Sequence, residues 1–255
     1  MKLVTWNVNS IRARKERALA WLQKNQPDVV CLQELKTEEA GVPVEEFAAL
    51  GYSVAMTCQR TYNGVAILSR TPISDVVVGL QDDVDDPQAR LIAGTVGDIR
   101  IICAYMPNGQ TVGSEKYTYK LEWMQRLRRY LHARCDLARP LALCGDFNVA
   151  PDERDVQFPD QWAGEVLFHQ DARDALERLR ALGLVDTFRI HHQEGGLYSW
   201  WDYRMLAFPK NNGLRIDHVF ATPSLAERCT EAVIDRQERK GKQPSDHAPV
   251  VVTFR

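Results

Sequence analysis

The stretch Leu141 Ala142 Leu143 Cys144 Gly145 Asp146 Phe147 Asn148 runs from an apolar segment directly into an acid and an amide, with Pro151 shortly after. So short an apolar run beside a glycine suits a strand covered on both faces, not a helix. It delivers Asp146 and Asn148 to a sheet edge, and on a continuing strand two residues so spaced point the same way. Asp and Asn are also ordinary turn formers. The decision between the two rests on what other strand ends carry.

Several carry matching groups. Lys2 to Trp6 reads as a strand breaking at Asn7, and Ser10 caps a helical pattern from Ile11 to Lys24. Val29 to Leu32 is a second buried strand, ending in Gln33 and Glu34. Strands are expected at 52–56, 65–68, 73–80, 90–96 and 99–105, the last two joined by the hairpin signal Gly97 Asp98. Helices are expected at 43–50, 114–133 and 171–182. Leu214 to Phe220 reads as a strand containing Asp217, and Ser245 Asp246 His247 precede a last strand at 248–254.

Many strands, several fully apolar, interleaved with few helices predict an α/β layered sandwich. Leu3 to Asn9 and Leu141 to Asn148 echo one another, which suggests two halves related by approximate symmetry. The 255 residues, 45% hydrophobic and 26% charged, are sufficient for one domain spanning 1–255. No apolar run is long enough for a signal core or a membrane span, and the six scattered cysteines include no CxxC pair. The expectation is a cytoplasmic monomer without disulfides. A net charge of −2 rules out a uniformly basic surface but leaves room for a local basic face. The acidic run Asp82 Asp83 Val84 Asp85 Asp86 fits a solvated loop better than a metal site.

Together the strand tips offer Asn7, Glu34, Asp146, Asn148, Asp217, Asp246 and His247. Hard oxygen donors with one imidazole suit Mg²⁺ working on phosphate, whereas zinc wants a His or Cys set that is missing. Asp217 is placed to hold His247 in one tautomer and to stabilise its cation.

The blocks WNVNSIRAR at 6–14, LQELK at 32–36, NGVAILSR at 63–70, YMPNG at 105–109, GDFNVAP at 145–151, YSWWDYR at 198–204, GLRIDH at 213–218 and SDHAPV at 245–250 resemble the exonuclease III family. That family contains apurinic/apyrimidinic endonucleases of the endonuclease/exonuclease/phosphatase superfamily. The resemblance implies a four-layered α/β sandwich, two packed mixed sheets flanked by helices. It implies a DNA-repair hydrolase that cuts 5′ to abasic sites, with 3′→5′ exonuclease and 3′-end phosphatase or phosphodiesterase action on double-stranded DNA. One or two Mg²⁺ ions, with Mn²⁺ as a substitute, would assist.

Residue by residue, the resemblance makes Glu34 the main metal ligand, Asn7 a metal or phosphate partner and Asp246 a second or outer ligand. Asp146 would orient or deprotonate the attacking water, Asn148 would hold the phosphate, and Tyr105 would hydrogen-bond it or assist the leaving group. Asp217 would pair with His247, which binds the scissile phosphate. Trp200, Leu214 and Ile216 would line a sugar pocket that rejects an intact nucleotide by size. Asn9 stands where some relatives carry an acid, and no intercalating Arg is evident in Gln110 to Lys116.

Basic residues flank these blocks, among them Arg12, Lys116, Lys120, Arg204, Arg215 and Arg239, and a subset is expected to form a phosphate-binding rim. Two other readings stay open from sequence: a phosphatase acting on lipid or inositol headgroups, and a non-catalytic DNA-binding protein on the same fold.

Overall fold

The computed structural model describes residues Met1–Arg255. Four strands and two helices open the chain: β1 (Lys2–Asn7), α1 (Ile11–Asn25), β2 (Val29–Gln33), α2 (Val44–Ala49), β3 (Ser53–Thr57) and β4 (Val65–Ser69). The middle holds β5 (Ile73–Val78), β6 (Leu91–Val96), β7 (Ile99–Tyr105), α3 (Glu115–Arg134), β8 (Leu141–Asp146), α4 (Pro159–Trp162) and α5 (Gln170–Arg180). The remainder is β9 (Val185–Asp186), α6 (Thr187–His191), β10 (Asp217–Ala221), α7 (Pro223–Ala226), β11 (Cys229–Ile234) and β12 (Val250–Phe254).

These strands form two six-stranded sheets, ordered β11-β12-β1-β2-β4-β3 and β5-β6-β7-β8-β10-β9. Each sheet has one parallel pair, β1 with β2 and β7 with β8, and all other pairs are antiparallel. A parallel pair needs a long crossover, which α1 and α3 supply. The expected two-fold echo is therefore present, but its pairing differs from the sequence reading. Topologically β1 matches β7 and β2 matches β8, so Leu3–Asn9 and Leu141–Asn148 occupy different places in their halves. Apolar strands ending in Asn look alike in sequence whichever position they take.

Four layers follow from which faces are apolar. Leu3, Cys31, Ile67, Ile101, Cys103, Cys144 and Val219 fill the space between the sheets. On the outer face of the first sheet, Trp6, Val30, Leu32 and Leu68 pack with Trp21 and Leu22 of α1 and Phe47 of α2. Opposite, Ile102, Ala104 and Leu143 pack with Trp123 and Leu127 of α3 and Leu176 of α5. This is the expected α/β sandwich, and all six cysteines are free.

The expected elements are present, the short α4, β9, α6 and α7 add to them, and three further differences bear on the site and its surroundings. The strand β11 escaped notice because Cys229–Ile234 mixes one buried alanine with exposed Thr230, Glu231 and Val233. Leu214–Ile216 is not part of β10; it meets Trp200 and Val156 through isolated bridges at Leu214 instead. Asn148 does not continue β8: the strand ends at Asp146, and Asn148 adopts a left-handed φ of 50°. In the acidic run, Asp82 and Asp86 accept hydrogen bonds of 2.7–2.9 Å from the buried Arg126 of α3, so that arginine is turned inward to a loop and not toward solvent. No helix is long and apolar enough to cross a membrane.

Candidate active site

Strand register places the polar tips at one end of both sheets. On the first sheet Asn7 lies beside Gln33, and Glu34 follows in the left-handed region at φ 55°. On the second, Asp146 lies between Tyr105 and Asp217 on its two neighbours. His247 sits just before β12 on the first sheet, with its imidazole only 4% exposed.

Every close link among these residues except one crosses the gap between the sheets. The Asn7 side-chain amide donates to Glu34 Oε1 and to Asp146 Oδ2, both at 2.9 Å, and only the first stays within its own sheet. The Tyr105 hydroxyl donates to Glu34 Oε1 at 2.8 Å. His247 Nδ1 donates to Asp217 Oδ2 at 2.8 Å, while its Nε2 lies 3.7 Å from Asp146 Oδ2. The backbone supports this arrangement: Asn148 N–H donates to Asp146 Oδ1 at 2.9 Å, which the left-handed turn permits. Asn148 and Asp146 thus share a side as expected, but a turn brings them together and not strand alternation.

The electrostatics divide the acids by role. Burial pushes the Asp146 carboxyl up to about 7, with repulsion from Asp217 and Glu34 adding to it and His247 opposing. Burial alone would lower the His247 imidazole, but Asp217 and Asp146 drive it up to about 10, so it is a cation at neutral pH. Glu34 goes the other way. Burial would raise it, yet the Lys36 ammonium at 2.5 Å holds it below the usual carboxylate range. Burial and the charges of Glu34 and Asp146 raise Tyr105 well above a normal phenol, so it remains a donor.

Three residues here carry no obvious sequence signal. Ser199 accepts from the backbone of Ile216 and Asp217, each at 3.0 Å, and donates to Asp217 Oδ2 at 2.6 Å. A lone hydroxyl before two tryptophans was its only hint. Asn108 donates to Asn148 Oδ1 at 3.1 Å, and Ser245 donates to the Asn7 carbonyl at 2.7 Å. Asp246 is set apart: its two oxygens accept from Asn9 and Trp200 at 2.8 and 3.0 Å.

The pocket and rim expectations need correction. Leu214 and Ile216 are 0% and 1% exposed and belong to the main core, leaving half-buried Trp200 as the pocket residue with surface to offer. Trp200 meets Trp162 edge-on at 6.1 Å, and Trp201 is wholly buried. Arg215 is 1% exposed, bonded to Asp155 at 2.6 Å and Asp186 at 2.8 Å, because two buried carboxylates need a fork-shaped counter-ion. It cannot meet DNA. Lys120 and Arg239 are buried as well, while Arg12, Lys116 and Arg204 stay exposed.

Residues 4–247 match the endonuclease/exonuclease/phosphatase family. The chain belongs to that family. It is 34% identical to the exodeoxyribonuclease III of Haemophilus influenzae over the full length of both chains. An AP endonuclease from Archaeoglobus fulgidus superposes with a TM-score of 0.97 at 41% identity, covering 100% of this chain and 99% of that one. A Neisseria 3′ phosphatase, NExo, solved with product DNA hairpin, gives 0.96 at 38% identity over 100% and 99%. This member of the family is a hydrolytic DNA-repair nuclease, and the family is metal-dependent.

A divalent cation fits these residues. Ligand atoms of Glu34, Asp146 and His247 lie within 4.8 Å of one another. His247, held as a cation through Asp217, is the one of the three unsuited to ligate. The carboxylate oxygens of Glu34 and Asp146 remain, in a pocket whose excess negative charge already raises Asp146. Asp217 Oδ1 is a further buried oxygen without a protein donor.

Proposed function

We propose that this nuclease hydrolyses the phosphodiester 5′ to abasic sites in double-stranded DNA, with 3′→5′ exonuclease and 3′-end trimming from the same site. The observation that carries this reading is the cross-sheet constellation itself, in which Asn7, Glu34, Tyr105, Asp146, Asp217 and His247 meet at one edge. The named activities of the similar AP endonuclease and 3′ phosphatase support the substrate range. Free, unpaired cysteines suit the reducing cytoplasm.

Glu34 and Asp146, with Asn7 beside them and Asp246 further out, would hold Mg²⁺, which would supply charge neutralisation at the phosphate. Asp146 orients the attacking water and takes its proton. The imidazolium of His247 donates through Nε2 to a non-bridging phosphate oxygen as negative charge builds. Asn148 holds a second phosphate oxygen. The P–O3′ bond breaks, and the departing oxygen receives a proton from the side of Tyr105, leaving a 3′-hydroxyl and a 5′-deoxyribose phosphate. Trp200 flanks the base-free sugar, and exposed Arg12 and Arg204 meet neighbouring phosphates.

Rates on an abasic duplex, a recessed 3′ end and a 3′-phosphate nick, each with and without Mg²⁺, test the proposal. All three should require the ion and fall together in Glu34→Ala. Cleavage of the abasic duplex that persists in EDTA, or in Glu34→Ala, would overturn it.

A further inference from the structure

Lys120 on α3 is completely buried yet has no carboxylate partner. Its ammonium donates to three backbone carbonyls: Asn148 and Val166 at 2.7 Å and Asn108 at 3.0 Å. Three donors meet three acceptors, which is the full capacity of an ammonium. The carbonyls come from three separate segments, the turn after β7, the turn after β8, and the stretch leading into α5. The lysine stem also supports the first turn from below, since a Cβ added at Gly109 would come within 3.0 Å of Lys120 Cδ.

Burial lowers the Lys120 pKa to about 7, and Asp146 is the one charge that counteracts this. An apolar side chain would fill the same space without the cost of burying a charge. Packing therefore does not account for an ammonium here. What it does hold is the peptide of Asn148, which turns in the left-handed region at φ 50°, one that Asn enters readily. Around that peptide, N–H is fixed by Asp146 Oδ1, the side-chain Nδ2 by the Met106 carbonyl at 3.0 Å, and the carbonyl by Lys120. Asn108, held through its own carbonyl, completes the set by donating to Asn148 Oδ1.

We infer that Lys120 is a positioning residue for the reaction: it locks the Asn108–Asn148 amide pair against Asp146 behind the phosphate site. This rests on the reading of Asn148 as a phosphate-holding residue. Backbone bonds join these segments only in pairs, Met106 N–H to the Asp146 carbonyl at 2.9 Å and Ala150 N–H to the Leu167 carbonyl at 2.8 Å, whereas the ammonium bonds to all three at once. Removing it leaves the buried Asn148 carbonyl without its donor and frees the turn to shift the side chain.

The test is a double-mutant cycle on an abasic duplex with Lys120→Met, Asn148→Ala and both together, with thermal melts alongside. Lys120→Met should lower kcat by about 10- to 100-fold, the scale of a catalytic group displaced by about an ångström. In the Asn148→Ala background the same change should cost less than about threefold, because coupled residues do not add. Lys120→Gln, which keeps part of the donor set, should fall between. Wild-type kcat in Lys120→Met while Asn148→Ala is impaired would overturn the inference, as would two independent, multiplying losses. Full turnover in Asn148→Ala would instead overturn the reading of Asn148 on which it rests. Should the Lys120 variants fail to fold, ¹⁵N-lysine spectra of the wild-type protein decide: one slowly exchanging ammonium should shift when product duplex binds, and an unresponsive one counts against the role.

Discussion

His247 Nδ1 and Asp217 Oδ2 stand 2.8 Å apart, joining the segment before the last strand of one sheet to the first residue of a strand in the other. Ser199 fixes the far side of the same carboxylate oxygen at 2.6 Å, so the ring has one orientation and its Nε2 is left facing Asp146. The pair is a docking contact and a charge device together.

Asp217→Asn keeps the shape and removes the charge. The His247 pKa, now about 10, should drop by several units. Turnover should fall by about 10²–10⁴-fold. An imidazole titration followed by NMR and kcat on an abasic duplex check both. The sign for stability follows: a histidine raised from 6.5 to about 10 stabilises the fold fully below pH 6.5 and loses that contribution as pH rises through 10. The variant should show a flatter stability profile between those limits.

Mg²⁺ binding should release protons near neutrality. Asp146 has its carboxyl pushed up to about 7, so below that pH a bound proton competes with the cation. Calorimetry in two buffers of different ionisation enthalpy should detect proton release at pH 6.5 that fades by pH 8.5. Asp146→Asn should abolish it. An unchanged proton count in that variant would reassign the linkage.

Arg215 and Arg204 should behave oppositely. Arg215→Ala leaves buried Asp186 without its ion pair while Asp155 keeps Arg189, at a cost of about 3 kcal/mol by denaturant melts. Arg204, with its side chain 84% exposed and paired only to Asp202, should cost less than about 0.5 kcal/mol when changed to Ala. It should instead flatten the log-log salt dependence of DNA binding by about 0.9, and an unchanged slope would remove Arg204 from the phosphate rim.

Gly145→Ala should be among the most damaging single changes near the site. Gly145 has φ 151°, and a Cβ there would lie 1.7 Å from the Ala104 carbonyl oxygen on the neighbouring parallel strand. Backbone cannot give way cheaply, so β7 and β8 must part just before Tyr105 and Asp146. Loss of activity with reduced melting temperature is expected; wild-type values for both would contradict the close approach.

The strand tips were legible because their chemistry is local: an apolar run that ends in Asn, Glu or Asp announces an edge wherever the chain goes next. Asn7, Glu34, Asp146, Asp217 and His247 do converge. What stayed hidden depends on partners distant in sequence. Arg215 reads as a surface cation until Asp155 and Asp186 are known to face it, and Lys120 until three carbonyls are found around it. Leu214 and Ile216 sit in a pocket block, yet their alternation could not say which face is covered. The turn at Asn148 left no mark on composition, since Asn tolerates strand edge and left-handed region alike.

The way the site is shared between two sheets makes catalysis a gauge of how tightly the sandwich is closed. On the proposed mechanism neither sheet owns a complete set of groups, so a breath of the interior that parts Glu34 from Tyr105, or Asp146 from Asn7, should silence the enzyme while every strand keeps its hydrogen bonds. Heat or mild denaturant should therefore extinguish turnover ahead of any loss of secondary structure. By the same token, a cation that draws carboxylates of opposite sheets together acts as a clasp for the whole fold.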